Sequence, residues 1–299
     1  DAQDQLSVIK HIMEEHGWQE EDTFTAKTIH YAIGQAKNEG KDPQAFLQLQ
    51  HSRKDQLTGE IYRLYQTSLK GCNAVDFDDI LLLTLRLFQE HSGAMEKIRQ
   101  QYQYLMVDEY QDTNRVQYQL LLHLIRHHRN LCVVGDDDQS IYGWRGADIR
   151  NILDFKKDFP ETKTIKLEQN YRSTQTILDA ANQVITHNPE RMPKKLWSHQ
   201  QGGEPLEWIE GKDEVEEMEK VVHNIRLQML KYKRQYADYT ILFRSNFQSR
   251  VVEEALREKS IPYRVVGTTS FYDRKEIKDA IAYLRLVYNP ADEVSLHRV

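Results

Sequence analysis

Residues 104–114, YLMVDEYQDTN, are the stretch of this chain that decides its fold. A short apolar run from Tyr104 to Val107 ends directly on two acids, Asp108 and Glu109. This pattern is typical of a buried parallel strand that presents acids at its carboxyl end, where ligands bind in α/β sheets. One such carboxylate can hold a magnesium ion while its neighbour orients or deprotonates a water. Because two acids also follow strands in ordinary loops, this stretch alone leaves a catalytic and a structural interpretation equally open.

Outward from this stretch, short apolar runs alternate with helical patterns. The sequence predicts strands at 104–107, 131–135 and 163–167, with a helix over 115–128 between the first two. Strand–helix alternation of this kind favours a doubly wound parallel sheet in the α/β class. Beyond residue 170 the alternation continues, and it predicts three more strands, near 205–209, at 239–243 and at 263–266. Helices are predicted at 174–187, from Glu214 to about residue 230, at 247–259 and at 275–288.

The first hundred residues have a different texture and are predicted to be almost entirely helical. The clearest helix starts at Asp76, a plausible N-cap, and apolar residues then recur at i, i+3 and i+4 spacing through Phe88. Between residues 188 and 204 the chain is rich in turn formers, which predicts a long surface loop rather than a linker.

Bulk properties limit the class of protein. A length of 299 residues suggests about two domains. The formal net charge of −6 argues against a wholly basic nucleic-acid coat protein, but it permits a local basic groove. No stretch is long and apolar enough to cross a membrane, so no membrane partner is expected. Two cysteines, Cys72 and Cys132, are too few for a disulfide framework, which predicts reduced thiols in a cytoplasmic protein.

The two ends of the sequence predict that it belongs to a longer protein. The chain starts at Asp1 without a methionine or a signal-peptide pattern. It stops at Val299 with no stop signal for the element in progress.

A second informative stretch is 134–147, VGDDDQSIYGWRGA. Gln139 follows a predicted strand and is placed to sense a terminal phosphate. Tyr142, Trp144 and Arg145 are the residue types that single-stranded nucleic acid requires, because bases stack on the rings while the cation meets phosphate. The alternative is a surface loop whose aromatic side chains fill a gap between domains, and composition alone favours that alternative.

The third stretch is 167–173, LEQNYRS, a predicted strand followed by a helix start. Arg172 lies at that helix N-terminus, where it is placed to face an anion, and Tyr171 offers a flat face to a nucleobase. The alternative is an arginine that only satisfies a local carboxylate.

Together, these three stretches resemble the motifs of superfamily 1 DNA helicases of the UvrD/PcrA/Rep type, and most of all those of the PcrA-like members. Segments 36–39 (AKNE), 76–79 (DFDD) and 271–279 (FYDRKEIKD) match as well, so the resemblance covers essentially the whole chain.

The resemblance implies RecA-like doubly wound parallel sheets with a large all-helical insertion. It divides the chain into a helical insertion subdomain of the first motor domain (1–88), a partial first RecA-like domain (89–160) and a partial second RecA-like domain (161–299).

The same resemblance implies an activity, with ATP and Mg²⁺ as cofactors. Members couple ATP hydrolysis to 3′–5′ translocation on single-stranded DNA and to duplex unwinding, so single-stranded DNA and single/double-strand junctions are the expected partners. Asp108 is expected to coordinate magnesium, Glu109 to activate the attacking water and Gln139 to contact the γ-phosphate.

Further roles follow from the resemblance on the DNA side and in the second motor domain. Arg172 is expected to act as an arginine finger, and Tyr171 is expected to stack on adenine. Tyr142, Trp144 and Arg145 are expected to belong to the DNA-facing side.

The sequence departs from the family in one respect, because it contains no Gly-x-x-x-x-Gly-Lys-Ser/Thr loop. The nearest segment runs from Gly34 to Gly40-Lys41, with five residues between the glycines and Asp42 in place of the hydroxyl ligand. Without that loop the β- and γ-phosphates lose their main anchor, so this polypeptide alone is expected to be inactive.

Two alternatives from other functional classes stay open. One is a non-catalytic module that binds DNA or a protein through its helical insertion. The other is a metal-dependent nuclease that uses Asp108, Glu109 and the acids at 136–138 around two ions.

Overall fold

The computed structural model of this chain describes residues 1–48, 52–267 and 275–298. Within these ranges the chain is mostly helical and contains one small parallel sheet, formed by β1 (Leu105–Val107) and β2 (Leu131–Val133). The helices are α1 (Ala2–Glu15), α2 (Ala26–Asn38), α3 (Pro43–Gln48), α4 (Arg53–Gly71), α5 (Phe77–Glu90), α6 (Ser92–Gln101), α7 (Arg115–Ile125), α8 (Arg150–Leu153), α9 (Phe155–Asp158), α10 (Gln175–Ile185), α11 (Glu214–Tyr232), α12 (Asn246–Glu258), α13 (Lys275–Tyr288) and α14 (Glu293–Arg298).

The chain divides into two compact units that interleave along the sequence. Unit 1 comprises Asp1–Glu168, Asn182–Leu196 and Ile281–Val299, and unit 2 comprises Gln169–Ala181 and Trp197–Ala280. In the described part of the chain, no helix combines the length and the apolar composition needed to cross a membrane. Cys72 and Cys132 are both free thiols, as the sequence predicts.

The helical prediction for the first hundred residues is confirmed. Apolar faces of four helices, α1 to α4, meet in one buried core that includes Ile9, Ile29, Ile61 and Tyr62. Asp76 caps α5 as predicted, because its Oδ1 accepts the Asp79 N–H at 2.8 Å. A side-chain oxygen in this position satisfies a backbone donor that has no partner within the helix.

A buried ionic cluster joins α2, α4 and α5 next to this core. Lys37 is 1% exposed, and its Nζ lies 2.5 Å from Asp76 Oδ2 and 2.8 Å from Asp79 Oδ1. The Tyr65 hydroxyl donates to Asp76 at 2.9 Å, and Gln66 Nε2 donates to Asp79 at 2.9 Å. Burial raises the pKa of Asp76, but the Lys37 ammonium together with hydrogen bonds from Asp79 and Tyr65 outweighs burial and lowers it. Two family-matching segments, AKNE and DFDD, therefore meet in the interior of unit 1.

The predicted strands at 104–107 and 131–135 are confirmed. They pair in parallel with Leu105 opposite Leu131 and Val107 opposite Val133. The connecting helix α7 corresponds to the predicted helix over 115–128, as expected for a parallel crossover. A second core cluster lies against the sheet and consists of Tyr110, Ile125, Ile152, Phe155 and Phe159.

The predictions of strands at 163–167, 205–209, 239–243 and 263–266 are wrong for the described residues, because none of these segments forms a strand. Leu167, Trp208, Leu242 and Val266 in these segments are exposed, whereas Ile241 and Phe243 are half-buried. A strand is stable only where its backbone N–H and C=O groups pair with a neighbouring strand. The described residues contain a single two-stranded sheet in place of the doubly wound sheets that the sequence predicts.

Unit 2 is held together mainly by two helices. The core between α11 and α12 consists of Val222, Val252, Leu256 and Ile261. The helices predicted at 174–187, 214–230, 247–259 and 275–288 are confirmed as α10, α11, α12 and α13 to within two residues at each end. The first four residues of the family-matching segment 271–279 lie outside the described residues.

Candidate functional site

The candidate site lies where the two parallel strands end. Asp108 and Glu109 follow β1, and Gly135 and Asp136 follow shortly after β2. Since parallel strands end at the same edge of a sheet, the two loops lie side by side. Two backbone hydrogen bonds extend the ladder beyond the strands: Val134 N–H donates to Val107 O at 2.8 Å, and Tyr110 N–H donates to Val134 O at 3.0 Å.

The first loop exposes both acids at this edge. Asp108 Oδ1 accepts the Glu109 N–H at 2.9 Å. Glu109 itself has φ 50° and ψ 42°, in the left-handed region that a residue other than glycine seldom occupies. This conformation turns the chain directly from β1 into a 3₁₀ turn, Tyr110–Asp112, and leaves the Glu109 side chain exposed.

The exposed carboxylate of Asp108 suits a magnesium ion that is also coordinated by a nucleotide. In the described residues, no group of three or more His, Cys, Asp or Glu side chains is arranged to hold a metal ion. Mg²⁺ in nucleotide sites takes only one or two protein carboxylates and completes its shell with waters and phosphate oxygens. A single exposed carboxylate next to a second acid therefore fits magnesium that arrives with a nucleotide.

A buried glutamine links the two loops. Gln111 is 1% exposed; its Nε2 donates to Glu109 Oε2 at 2.8 Å, and its Oε1 accepts the Asp136 N–H at 2.9 Å. Asp136 Oδ2 in turn accepts Gln139 Nε2 at 2.7 Å. A Cβ atom at Gly135 would lie 2.6 Å from Gln111 Oε1, so only glycine fits this close approach. Glu109 and Gln139, two residues singled out from the sequence, are thus the ends of one hydrogen-bonded chain.

Two cations hold the three consecutive acids of the second loop. Arg191 binds Asp138 with two hydrogen bonds of 2.9 and 2.7 Å. Lys194 Nζ lies 2.8 Å from Asp136 Oδ1 and 3.1 Å from Asp138 Oδ2, and it also pairs with Asp137. The hydrogen bond from Arg191 lowers the pKa of Asp138. Burial raises the pKa of Asp136, but hydrogen bonds from Lys194 and Gln139 outweigh burial and lower it.

These ion pairs bear on the nuclease alternative. A two-ion nuclease needs free carboxylates that converge on metal ions. At residues 136–138 the carboxylates are paired with Lys194 and Arg191, which stand where metal ions would bind. The geometry therefore gives the nuclease alternative no support. Both cations come from the part of the predicted surface loop, 188–196, that belongs to unit 1.

The aromatic residues of the second loop lie together on the surface. The Arg145 guanidinium carbon lies 4.5 Å from the Trp144 ring centroid and 5.4 Å from that of Tyr142, which are cation–π distances. Trp144 is 58% exposed and Tyr142 is 38% exposed. The three residues predicted to face DNA therefore form one group, with aromatic surface open to solvent.

Contacts with α2 hold this aromatic loop in place. Gly146 has φ 87°, and a Cβ there would lie 3.0 Å from Asn38 Cβ. Asn114 Nδ2 donates to Asn38 Oδ1 at 2.5 Å, and Asn114 also forms a bridge with Ala147. Asn38 belongs to the AKNE segment, which accordingly has a second role beside the buried Lys37.

Tyr171 and Arg172 lie in unit 2 and form their own local group. The Asn170 side-chain oxygen accepts the Arg172 N–H at 2.9 Å and the Ser173 N–H at 2.8 Å, which fixes a turn just before α10. Both side chains are exposed, Tyr171 by 76%. An exposed ring beside an exposed cation is suited to bind a base and a phosphate.

Sequence reasoning missed Gln111, Asn38, Arg191 and Lys194. Gln111 carried a usable signal, since an amide inside an acidic motif at a strand end offers a donor to carboxylates. The two cations carried none, because the loop between 188 and 204 has no periodic pattern to show which of its basic residues point inward.

Comparisons with known proteins agree with the motifs. Residues 1–160 match the family model of the UvrD/REP helicase N-terminal domain, and residues 165–299 match that of the UvrD-like helicase C-terminal domain. The chain is similar to the ATP-dependent DNA helicase PcrA of Staphylococcus epidermidis, with 46% identity over 299 residues that make up 41% of that protein. The PcrA proteins of Bacillus subtilis and Staphylococcus aureus show the same 46% identity, over 40% and 41% of their lengths. The chain thus spans about two fifths of the length of these relatives.

Proposed function

The chain belongs to the UvrD/REP helicase family, and we propose that it forms the central part of an ATP-driven motor that moves 3′ to 5′ along single-stranded DNA and unwinds duplexes. The observation that supports this function best is the hydrogen-bonded chain from Glu109 through Gln111 and Asp136 to Gln139. A motor needs a water-activating group and a phosphate-sensing group at a fixed distance and orientation. These hydrogen bonds hold Glu109 and Gln139 in that way.

In this proposal the chain's own residues divide the work of ATP hydrolysis. Asp108 holds the magnesium that neutralises charge on the phosphates, and Glu109 accepts a proton from the attacking water. Gln139 contacts the γ-phosphate. In unit 2, Tyr171 stacks on adenine, and Arg172 stabilises charge on the transferring phosphoryl group.

Tyr142, Trp144 and Arg145 bind single-stranded DNA in this proposal. Stacking on an exposed aromatic ring contributes roughly 1–3 kcal/mol per base and tolerates any sequence. Because these residues and Gln139 lie on one short segment, 139–145, a change at the phosphates is transmitted directly to the DNA contact. Junctions between single- and double-stranded DNA are the proposed site of unwinding.

The complete protein, in this proposal, contains two RecA-like domains. Residues 1–88 form a helical insertion of the first, 89–160 a part of the first, and 161–299 a part of the second. The free thiols and the DNA substrate are consistent with a location in the cytoplasm.

This chain alone is proposed to be inactive as an ATPase. It has no Gly-x-x-x-x-Gly-Lys-Ser/Thr loop, whose backbone N–H groups and lysine anchor the β- and γ-phosphates. Gly40 and Lys41, the nearest approach, follow the end of α2, and Lys41 pairs with Glu39. The alternative function, binding of DNA or of a protein, does not require ATP hydrolysis and therefore stays open for the isolated chain.

The test uses the complete protein, with DNA-stimulated ATP hydrolysis as the readout. The Glu109→Gln variant is expected to lose roughly 10²-fold or more of kcat, because general-base catalysis contributes about that much. Glu90→Gln is the matched control, since Glu90 is an exposed glutamate on α5 away from the site. Equal hydrolysis by the wild-type protein and Glu109→Gln would refute the ATPase proposal.

A second arm tests the DNA contact. Trp144→Ala is expected to weaken binding of single-stranded DNA by about 5- to 150-fold, the equivalent of one lost stacking partner. Trp208→Ala is the control, because Trp208 is 87% exposed but belongs to no proposed site. Unchanged affinity in Trp144→Ala would remove this loop from the DNA interface.

A further inference from the structure

Both ends of the Gln111 side chain are used, and they are used on different loops. Its amide nitrogen donates to the Glu109 carboxylate, and its amide oxygen accepts the backbone N–H of Asp136. A primary amide is the side-chain group that offers a donor and an acceptor in one fixed plane. Glutamate has no donor for the first contact, and methionine has neither group.

Glu109 depends on this contact for its orientation. Its side chain is exposed, and within the described residues Gln111 is the only group that donates a hydrogen bond to it. A glutamate free in solvent samples many rotamers, so a buried donor at 2.8 Å selects one of them. Only one carboxylate oxygen is engaged, which leaves the other free to accept a proton from water.

The other end of Gln111 is held firmly. Asp136 follows β2, and its carboxylate is fixed by Gln139 and by Lys194. The close approach of Gly135 leaves no space for the Gln111 amide to move toward that strand. The position of the Glu109 carboxylate is therefore set relative to the loop that carries Gln139, and not by its own loop alone.

We propose that Gln111 is a positioning residue that aligns the Glu109 carboxylate with the phosphate-sensing loop. This inference rests on the proposed ATPase function and adds a residue to it. Gln111 does not touch the nucleotide, and it acts through Glu109. Its loss lowers the rate of the chemical step and leaves nucleotide and DNA binding intact, because a small displacement of a reacting group can cost on the order of 10²-fold.

The experiment compares two substitutions at Gln111 in the complete protein. Gln111→Met removes both hydrogen bonds at similar length, and Gln111→Glu keeps the acceptor for Asp136 but sets a carboxylate against Glu109. Both are expected to lower kcat for ATP roughly 10- to 100-fold with KM for ATP within a few-fold of wild type. The affinity for single-stranded DNA is expected to stay near that of the wild-type protein. The melting temperature is expected to fall, because Gln111 is buried and hydrogen-bonded, so kcat is measured at a temperature at which both variants are folded.

A matched control lies close by. Gln117 is the third residue of α7, and its Oε1 accepts the Asn114 N–H at 2.9 Å. Gln117→Glu keeps that acceptor, since glutamate serves equally well in a capping box. It adds the same negative charge a short distance from the site and is expected to leave kcat within twofold of wild type.

A double-mutant cycle separates positioning from a general structural effect. In the Glu109→Gln background, Gln111→Glu is expected to cause no further fall in the single-turnover rate, because the group that it positions is already lost. If the rate of the double variant fell by the product of the two single-variant losses, the inference would be overturned. A kcat within twofold of wild type in both Gln111 variants would overturn it as well. Loss of folding in both variants would overturn it too, since the residue would then act in stability.

Failure of this inference is distinguishable from failure of the proposed function. If Glu109→Gln hydrolyses ATP like the wild-type protein, the proposed function fails and this inference falls with it. If Glu109→Gln is inactive while the Gln111 variants keep normal kcat, only the positioning role is wrong.

Discussion

The helical part of unit 1, residues 1–101, and the part of unit 2 from 197 to 267 differ in how far they bury their apolar residues. In the first, a continuous core connects α1 to α4, and even a lysine is taken inside with its counterions. In the second, the core between α11 and α12 is small, and side chains such as Trp208 and Leu242 face solvent. Both stretches contain apolar residues in regular patterns, so the presence of such patterns does not explain why burial differs between them.

Backbone hydrogen bonding explains it. A helix satisfies its own N–H and C=O groups, so it needs only an apolar surface to pack against. A strand depends on neighbours for every backbone hydrogen bond. The helices of unit 1 find their packing partners within the described residues, whereas the segments of unit 2 that have strand patterns find no strand to pair with.

The largest test of this comparison is removal of the buried lysine. Lys37→Met is expected to lower the free energy of unfolding of unit 1 by about 4 kcal/mol, because it leaves the Asp76 and Asp79 carboxylates buried without a cation. The measurement is urea unfolding of the 299-residue chain, with amide hydrogen exchange in α2 and α5 to localise the loss.

Lys41→Met is the control for this substitution. Lys41 pairs with Glu39 at the surface, and such pairs contribute about 0–1 kcal/mol. If Lys37→Met destabilised the chain no more than Lys41→Met, the ionic cluster would not be part of what holds the helical region together.

A pair of identical substitutions measures the contrast between the regions directly. Leu85→Ala, at a leucine of α5 that is 3% exposed, is expected to cost about 3 kcal/mol of stability. Leu242→Ala, at a leucine that is 89% exposed, is expected to change stability by less than about 0.5 kcal/mol. Both stability costs are measured by urea unfolding, with far-UV circular dichroism as the signal. A large cost at Leu242 would mean that this side chain is packed and does not face solvent.

The smallest expected effect concerns segment 182–196, which is flanked in sequence by unit 2 but belongs to unit 1. Lys194→Met is expected to destabilise unit 1 by about 2 kcal/mol at neutral pH, the contribution of a hydrogen-bonded charge pair. The pKa values of Asp136 and Asp138 are lowered in the folded chain, so their pairing stabilises it above their unfolded value of about 4. That stability is lost as the pH falls through the lower folded values.

The difference between the wild-type chain and Lys194→Met is therefore expected to shrink toward acid pH. Lys157→Met serves as the control, because Lys157 is 77% exposed and forms a surface ion pair with Asp154. An effect of Lys194→Met that did not depend on pH would indicate lost packing and not lost charge pairing.

The sequence predicted some elements well for identifiable reasons. Helices such as α5 and α11 carry their signal locally, in a capping residue and an apolar face. The strands 104–107 and 131–135 were predicted correctly because a helix of suitable length connects them. The strand at 239–243 had an equally apolar pattern and was predicted wrongly, since the pattern contains no information about whether a partner strand is present.

Taken alone, the sequence determined the helices, the two strands, the family and the residues proposed to act: Asp108, Glu109, Gln139, Tyr142, Trp144, Arg145, Tyr171 and Arg172. Only the tertiary structure decided how Gln111 joins Glu109 to Asp136, and which cations neutralise the acids at 136–138. It also decided that, of the two acids Asp108 and Glu109, the Glu109 carboxylate is linked through Gln111 to the loop that follows β2. The physical reason is that periodicity and capping are encoded within a few residues. The contact from Gln111 to Asp136 and those from Arg191 and Lys194 to the acids at 136–138 instead join residues that lie 25 or more positions apart.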